Sequence, residues 1–375
     1  MNYLLILPIV IFPYIVLILW LYKYLVRIKP FNSSADQPVF VSVVIACRNE
    51  QDNIPGLLHS LSQQKYPFNL FEVILVDDNS TDKTVAAAQS YAYNLNLKVL
   101  ANEGTGKKTA LKTGIRAAMG NLILTTDADC FPCDRWITTI VSFYSEYNPD
   151  LIIAPVKLSR GMNFFGRFQE LEFLSLQGIT AATAEGGIPV MCNGANLAFT
   201  KSVYLSNIEH LRFDIATGDD IFLLHSLKKN KSNILWLESA GAIVETAAVP
   251  DLKSFLKQRK RWASKSTAYR DFASVYIGIV TFVTNLAIVV FLMASFFDNE
   301  MLIAFITSLL IKSIPDYLIL RNTTGRYGNK ELMKSFLQCQ MIYPFYVMIV
   351  TGFAFIDMFR MKKMPAISSP SLKGI

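Results

Sequence analysis

Residues 121–129 read Asn-Leu-Ile-Leu-Thr-Thr-Asp-Ala-Asp, an uncharged β-rich run that ends on two acids one residue apart. Similar short apolar runs lie on either side of it, at Val39–Ala46, Phe71–Val76, Leu97–Leu100 and Leu151–Pro155. Helical patterning fits the intervals at about 52–64, 82–94, 107–119 and 134–146. Continuous apolar strands separated by helices predict an α/β domain with a mostly parallel sheet covered on both faces. In such sheets ligands bind beyond the carboxyl ends of the strands. Those places are Cys47-Arg48-Asn49-Glu50, Asp77-Asp78-Asn79-Ser80 and Asp127-Ala128-Asp129.

On an extended segment Asp127 and Asp129 point the same way. Two hard oxygen donors suit Mg²⁺ or Mn²⁺, with room left in the shell for water and phosphate. A solvated turn is the bland alternative; the position at a strand end favours function. Asp77–Asp82 also has a structural reading, since Asp, Asn and Ser begin turns and cap helices; Asp82 reads as that alone, while Asp78 could accept from a nucleobase N–H. Lys107 follows Gly104-Thr-Gly106, which is neither a Walker A loop nor a dinucleotide fingerprint. At a helix start it remains a candidate diphosphate ligand. In Gly218-Asp219-Asp220 one acid caps the following helix, and the spare one is a candidate general base. The spacing of Gln258, Arg261 and Trp262 puts them on one helix face, with Arg259 and Lys260 turned away toward lipid headgroups. By composition alone the same run is a juxtamembrane basic helix with an interfacial Trp.

The 375 residues carry 36 Lys+Arg against 29 Asp+Glu, are 52% hydrophobic and only 17% charged. An aromatic content of 12% excludes disorder, and five cysteines exclude a disulfide scaffold. Cys130 and Cys133 lack a second pair, so no zinc site is expected. The basic balance fits either nucleic acid or an anionic membrane face, and the apolar runs favour the membrane without nucleic acid. Residues 3–22 are uncharged, with Lys23, Arg27 and Lys29 after them, which predicts an uncleaved anchor with its N-terminus outside. Further apolar runs occupy about 273–297, 301–320 and 336–356. Four crossings would place the basic tail after Arg360 outside, against the charge rule. Either one run is interfacial or re-entrant, or the tail breaks the rule. Lys312, Pro315 and Asp316 interrupt the third run; Asp316 marks either a functional path or a helix end. The resulting division is an anchor (1–22), a linker (23–38), a cytoplasmic domain (39–270), membrane helices (271–360) and a tail (361–375).

Five ordered motifs carry a resemblance: Val41-Ser-Val-Val-Ile-Ala-Cys-Arg-Asn-Glu50, Val76-Asp-Asp-Asn-Ser-Thr-Asp82, Asp127-Ala-Asp129, Gly218-Asp-Asp220 and Gln258-Arg-Lys-Arg-Trp262. Together they resemble the membrane-bound family 2 glycosyltransferases, among them cellulose, hyaluronan and poly-N-acetylglucosamine synthases and ceramide glucosyltransferases. The resemblance implies a glycosyltransferase A fold, a nucleotide-diphosphate-sugar donor (a UDP-sugar foremost), Mg²⁺ or Mn²⁺, and inversion at the anomeric carbon. It assigns Ala46, Arg48, Glu50, Asp78, Lys107 and Asp127 to the donor, and Asp129 with Asp127 to the metal. Asp220 corresponds to the catalytic base and Asp219 to its preceding acid. Gln258, Arg261 and Trp262 correspond to the motif holding the diphosphate and the acceptor end. Asn193 and Gly194, in Cys192-Asn-Gly-Ala-Asn196, match an acceptor-side strand.

Few membrane helices favour transfer of one or a few sugars to a lipid or lipid-linked glycan acceptor over a processive polysaccharide synthase. A nucleotidyltransferase would need a glycine-rich loop after the first strand, and Cys47–Asn53 has no glycine. An inactive membrane scaffold would not place its acids at strand ends. The donor sugar, the acceptor and the oligomeric state are left open by the sequence.

Overall fold

The computed structural model describes residues 6–363 except 33–37, 160, 162, 216, 267, 268 and 270. Residues 1–5 of the predicted anchor, 33–37 of the predicted linker and the tail beyond 363 therefore lie outside the described residues. A helix, α1 (Ile6–Leu25), leads into an alternating series: β1 (Val41–Cys47), α2 (Ile54–Ser62), β2 (Phe71–Asp77), α3 (Thr84–Gln89), β3 (Leu97–Ala101), α4 (Lys107–Ala117) and β4 (Leu122–Thr125). Then follow β5 (Cys130–Pro132), α5 (Trp136–Tyr147), β6 (Leu151–Ile153), β7 (Val156–Leu158), α6 (Phe164–Glu185), β8 (Leu197–Thr200) and α7 (Lys201–Ser206). The chain continues through α8 (Asp219–Lys229), β9 (Ile234–Trp236), β10 (Val244–Thr246), α9 (Leu252–Ser266), α10 (Phe272–Ala294), α11 (Asn299–Arg326) and α12 (Phe336–Lys363).

The main sheet has the order β3-β2-β1-β4-β8-β6-β9. Strands β1 to β4 pair in parallel, while β8 runs antiparallel to both β4 and β6. This reversal matters for function. Leu197 at the start of β8 pairs with Thr125 at the end of β4, so the segment before β8 reaches the same rim as the segment after β4. A second sheet, β5-β10-β7, folds over that rim, with Cys130 opposite Thr246.

Alternate residues of each strand feed two cores. Val41, Val43 and Ile45 pack with α2 and α5, whereas Val44, Ile74 and Val76 pack on α4. Gly114 lets α4 sit close: a Cβ there would lie 2.5 Å from Val44 Cγ1. At the opposite rim a buried carboxylate ties the strands together. Glu72 accepts from Ser42 Oγ at 2.7 Å, Lys98 Nζ at 2.7 Å and the Met119 N–H at 2.6 Å. Hydrogen bonds to a charged group contribute about 1.5–3 kcal/mol each, enough to offset its burial.

Helix α10, helix α11 and the stretch Lys330–Phe353 are long and apolar enough to cross a membrane, and the described part of α1, Ile9–Leu25, is a shorter apolar helix. Lys312, Pro315 and Asp316 do not break the third run: α11 is continuous through them to Arg326. Asp316 is not at a helix end either. Its carboxylate accepts from Lys312 Nζ at 2.6 Å and from the Tyr14 hydroxyl at 2.7 Å, and Lys312 also reaches Gln340. Paired in this way, both charges can stay in an apolar bundle.

Candidate active site

Four segments meet where β4, β8, α4 and α8 converge. Asp127 and Asp129 follow β4, but on a turn rather than on the extended segment expected: the Cys130 N–H donates to the Asp127 carbonyl at 3.2 Å. The turn still brings them together, and carboxylate oxygens of both and Cys130 Sγ lie within 4.8 Å of one another. Burial and the neighbouring Asp127 raise the Asp129 pKa above the ordinary range. Burial, then Asp129 and Asp127, do the same to Glu50 against the opposing pull of Asn53. Two hard oxygens at an open turn, with a third carboxylate nearby, fit a divalent cation such as Mg²⁺ or Mn²⁺.

Helix α4 begins at Lys107 because Gly106 precedes it with φ +91°. Lys107 Nζ lies 2.5 Å from Asp127 Oδ1 and 3.9 Å from Asp219 Oδ2, so one ammonium bridges the two acid pairs. Burial works to lower its pKa, but Asp127 and Asp219 outweigh that and hold the lysine charged.

Asp219 and Asp220 open α8 after Gly218, whose φ of +88° a residue with a Cβ adopts at a cost. The N-cap position is Gly218, so neither acid caps from outside the helix; both lie in its first turn. Asp220 Oδ1 instead accepts from the adjacent Ile221 N–H at 2.8 Å, and Oδ2 from the Gly194 N–H at 3.2 Å. Lys265 Nζ stands 3.8 Å from Asp220. Burial alone would raise the pKa of Asp220, but Lys265, Lys107 and these N–H donors lower it below the usual carboxylate range. Burial, with Asp220 and Asp127 nearby, raises Asp219 instead, against Lys107 and Lys265. The two neighbouring acids are thus shifted in opposite directions.

All of this surrounds one cavity of about 560 Å³. Ala46, Glu50, Lys107, Asp127, Asp129, Asn193, Gly194, Asp219, Asp220, Gln258, Arg261 and Trp262 line it. Arg48 and Asp78 are not among its lining residues. Asp78 accepts from the Gly106 N–H at 2.8 Å and from Asn102 Nδ2 at 2.7 Å, with Arg48 at 3.9 Å, and so holds the turn that starts α4. Arg259 does not face lipid headgroups: it is 3% exposed and bonded to Glu172 on α6. The sequence reading missed Lys265, although it sits four residues after Arg261 and thus on the same helix face. It also missed α6, which supplies Gln169, Phe173, Gln177 and Thr180 to the wall. None of the described lining residues belongs to α1, α10, α11 or α12. All five cysteines are free.

Residues 42–205 match the family described as Glycosyl transferase family 2. Glycosyltransferase AglE of Haloferax volcanii is 38% identical over 123 residues, 32% of this chain and 40% of that protein. The poly-beta-1,6-N-acetyl-D-glucosamine synthase of Staphylococcus epidermidis is 26% identical over 285 residues, 70% of this chain and 66% of that protein. The chain thus spans 40% and 66% of the length of these two relatives. Among solved structures, the mannosyltransferase PcManGT from Pyrobaculum calidifontis, in complex with GDP-Man and Mn²⁺, superposes with a TM-score of 0.57. The likeness covers 95% of this chain and 98% of that one at 16% identity, and it concerns the fold.

Proposed function

We propose that this chain, which carries a family 2 glycosyltransferase domain on a glycosyltransferase A-like fold, moves a sugar from a nucleotide-diphosphate donor to a membrane-associated acceptor. One observation carries the reading. Acids separated by some ninety positions, Asp127/Asp129 and Asp219/Asp220, face one cavity with Lys107 between them. The names of the relatives support glycosyl transfer, and the PcManGT complex pairs a nucleotide sugar with Mn²⁺ on a similar fold.

In this reading Asp127 and Asp129 would hold Mg²⁺ or Mn²⁺, and such a cation would supply positive charge to offset that of the departing diphosphate. Lys107 and Arg261 add positive charge on the same side. Asp220, kept ionised, takes the proton of the acceptor hydroxyl as that oxygen bonds to the anomeric carbon. The bond from that carbon to the diphosphate breaks, the nucleoside diphosphate leaves, and the configuration inverts. Asp219 backs the base, and Asn193, Gly194 and Trp262 border the acceptor side. Ala46 and Glu50 border the nucleotide end, behind which Asp78 and Arg48 hold the turn before α4, and a UDP-sugar is the donor of first choice. The domain at 39–270 faces the cytoplasm, flanked by the anchor and the C-terminal helices. A cavity whose described lining excludes the membrane helices favours short transfer to a lipid or lipid-linked glycan.

The test is incorporation. Membranes bearing the full chain are incubated with a panel of radiolabelled nucleotide sugars and Mg²⁺ or Mn²⁺, then separated into lipid and polymer fractions. Label in the lipid fraction is expected, and long polymer would indicate a processive enzyme instead. Asp220→Asn is expected to lower transfer by roughly 10²- to 10⁴-fold while donor binding survives. Loss of donor binding in that variant would reject the assignment of the base.

A further inference from the structure

Arg259 is the one residue of the Gln258–Trp262 segment that is buried, and its charge is fully engaged. Its Nε donates to Glu172 Oε1 at 3.1 Å and its Nη2 to Glu172 Oε2, a forked pair in which Glu172 is itself 6% exposed. The Tyr346 hydroxyl of α12 donates to the same Glu172 Oε1 at 2.8 Å. The guanidinium lies between two rings of its own helix, 4.4 Å from the Phe255 centroid and 4.2 Å from that of Trp262. The remaining nitrogen, Nη1, donates to Gln258 Oε1 at 2.5 Å.

That last bond has a chemical consequence. A guanidinium has only donors, so the Gln258 atom facing it must be the oxygen. The two N–H donors of the Gln258 amide are left for the cavity it lines. Without Arg259 the amide could turn over and present an acceptor, which repels an anion. The same guanidinium occupies one face of the Trp262 indole and limits its rotation.

We propose that Glu172 and Arg259 are positioning residues that lock Gln258 as a hydrogen-bond donor to an oxygen of the bound diphosphate and hold Trp262 at the cavity edge, with Tyr346 anchoring the lock from α12. The proposal rests on the nucleotide-sugar reading of the cavity. It goes beyond that reading because neither Glu172 nor Tyr346 lines the cavity. Arg259 itself borders the cavity, but its donors are spent on Glu172 and Gln258, so it acts through its neighbour.

The experiment is a double-mutant cycle on the full chain in detergent, reading UDP affinity in the presence of Mn²⁺. Gln258→Met, which removes the donors and keeps the volume, is expected to weaken binding about tenfold, the scale of one hydrogen bond to a charged group. Arg259→Lys keeps the charge but loses the forked geometry and is expected to weaken binding similarly. In the Gln258→Met background, Arg259→Lys should cost nothing further, because its effect runs through the amide already removed. Glu172→Gln gives an independent route if Arg259→Lys fails to fold, with the same weakening and the same silence in that background. Additive losses, or unchanged UDP affinity in Arg259→Lys and Glu172→Gln, overturn the lock while leaving the nucleotide-sugar reading standing. A wild-type chain that binds no UDP with Mn²⁺ overturns both.

Discussion

Lys107 sets the charge balance of the cavity, since one ammonium serves Asp127, Asp219 and, at longer range, Asp220. Its removal has a signed effect. Lys107 lowers the pKa of Asp220, so in Lys107→Met that pKa rises. A base acts only when ionised, so the acidic limb of the pH profile of kcat/KM should move to higher pH. An unmoved limb would mean that Lys107 does not share a field with the base. The metal end behaves differently. The Asp129 pKa is already raised by burial and by Asp127, and a cation competes with its proton. Mn²⁺ affinity should therefore fall on acidification while the pH is still above about 3.9, the ordinary aspartate value. Asp129→Asn should abolish that pH dependence together with most of the affinity, as titration of Mn²⁺ against donor binding would reveal.

Elements differ in how much of themselves they write into the sequence. The strands β1, β2 and β4 are buried on both faces, so they read as unbroken apolar runs, and their ends put Glu50 and Asp127 where the site needs them. The strands β5, β7, β9 and β10 span three residues each, too short for any period to emerge. Helix α6 is illegible for a different reason. Its Gln169, Phe173, Leu176 and Gln177 face the main cavity, while Phe168, Leu171, Glu172 and Ser175 face a second, smaller cavity among α1, α10, α11 and α12. A helix covered on both sides has no polar stripe to set its phase. The acids of α8 were legible as residue types, but their bonding was not, because Gly194 and Lys265 approach from distant segments. At the head of that helix, Gly218 combines φ +88° with a space where a Cβ would stand 3.0 Å from Phe222. Gly218→Ala should cost about 1–2 kcal/mol in backbone strain. Because the strain falls on the turn holding Asp219 and Asp220, transfer should drop more steeply than thermal stability. Equal losses in melting temperature and activity would argue for a purely structural glycine.

The whole chain poses a topological question that its charges left unresolved. Helices α1 and α11 run in the same direction, since Tyr14 bonds Asp316 near their middles and Arg326 Nη2 donates to the Leu25 carbonyl at their ends. Helix α10 joins them by returning between, packing on both α1 and α11. If all three cross, they make an odd number of crossings and bring the chain back to the side of the 39–270 domain. Helix α12 then lies beside the basic helix α9, with Tyr346 5.7 Å from Phe255 and Lys260 5.9 Å from the Phe353 ring. The two helices run side by side in the same sense, and α9 carries cavity-lining Gln258 and Arg261, so it must stay at the aqueous surface. We expect α12, once past the Gln340–Tyr343 stretch that packs among α1, α10 and α11, to follow α9 along the interface from Tyr346 to Phe353, even though its length and composition would permit a crossing. The basic residues Arg360, Lys362 and Lys363 would then remain on the domain side, which agrees with the positive-inside rule instead of violating it. A fusion of a cytoplasm-active reporter to the C-terminus should accordingly be active, and a reporter that requires export should be silent. A cysteine introduced at Gly352 should be labelled by a membrane-impermeant thiol reagent only once the compartment containing the domain is opened. Labelling from the outer side would establish α12 as a true crossing.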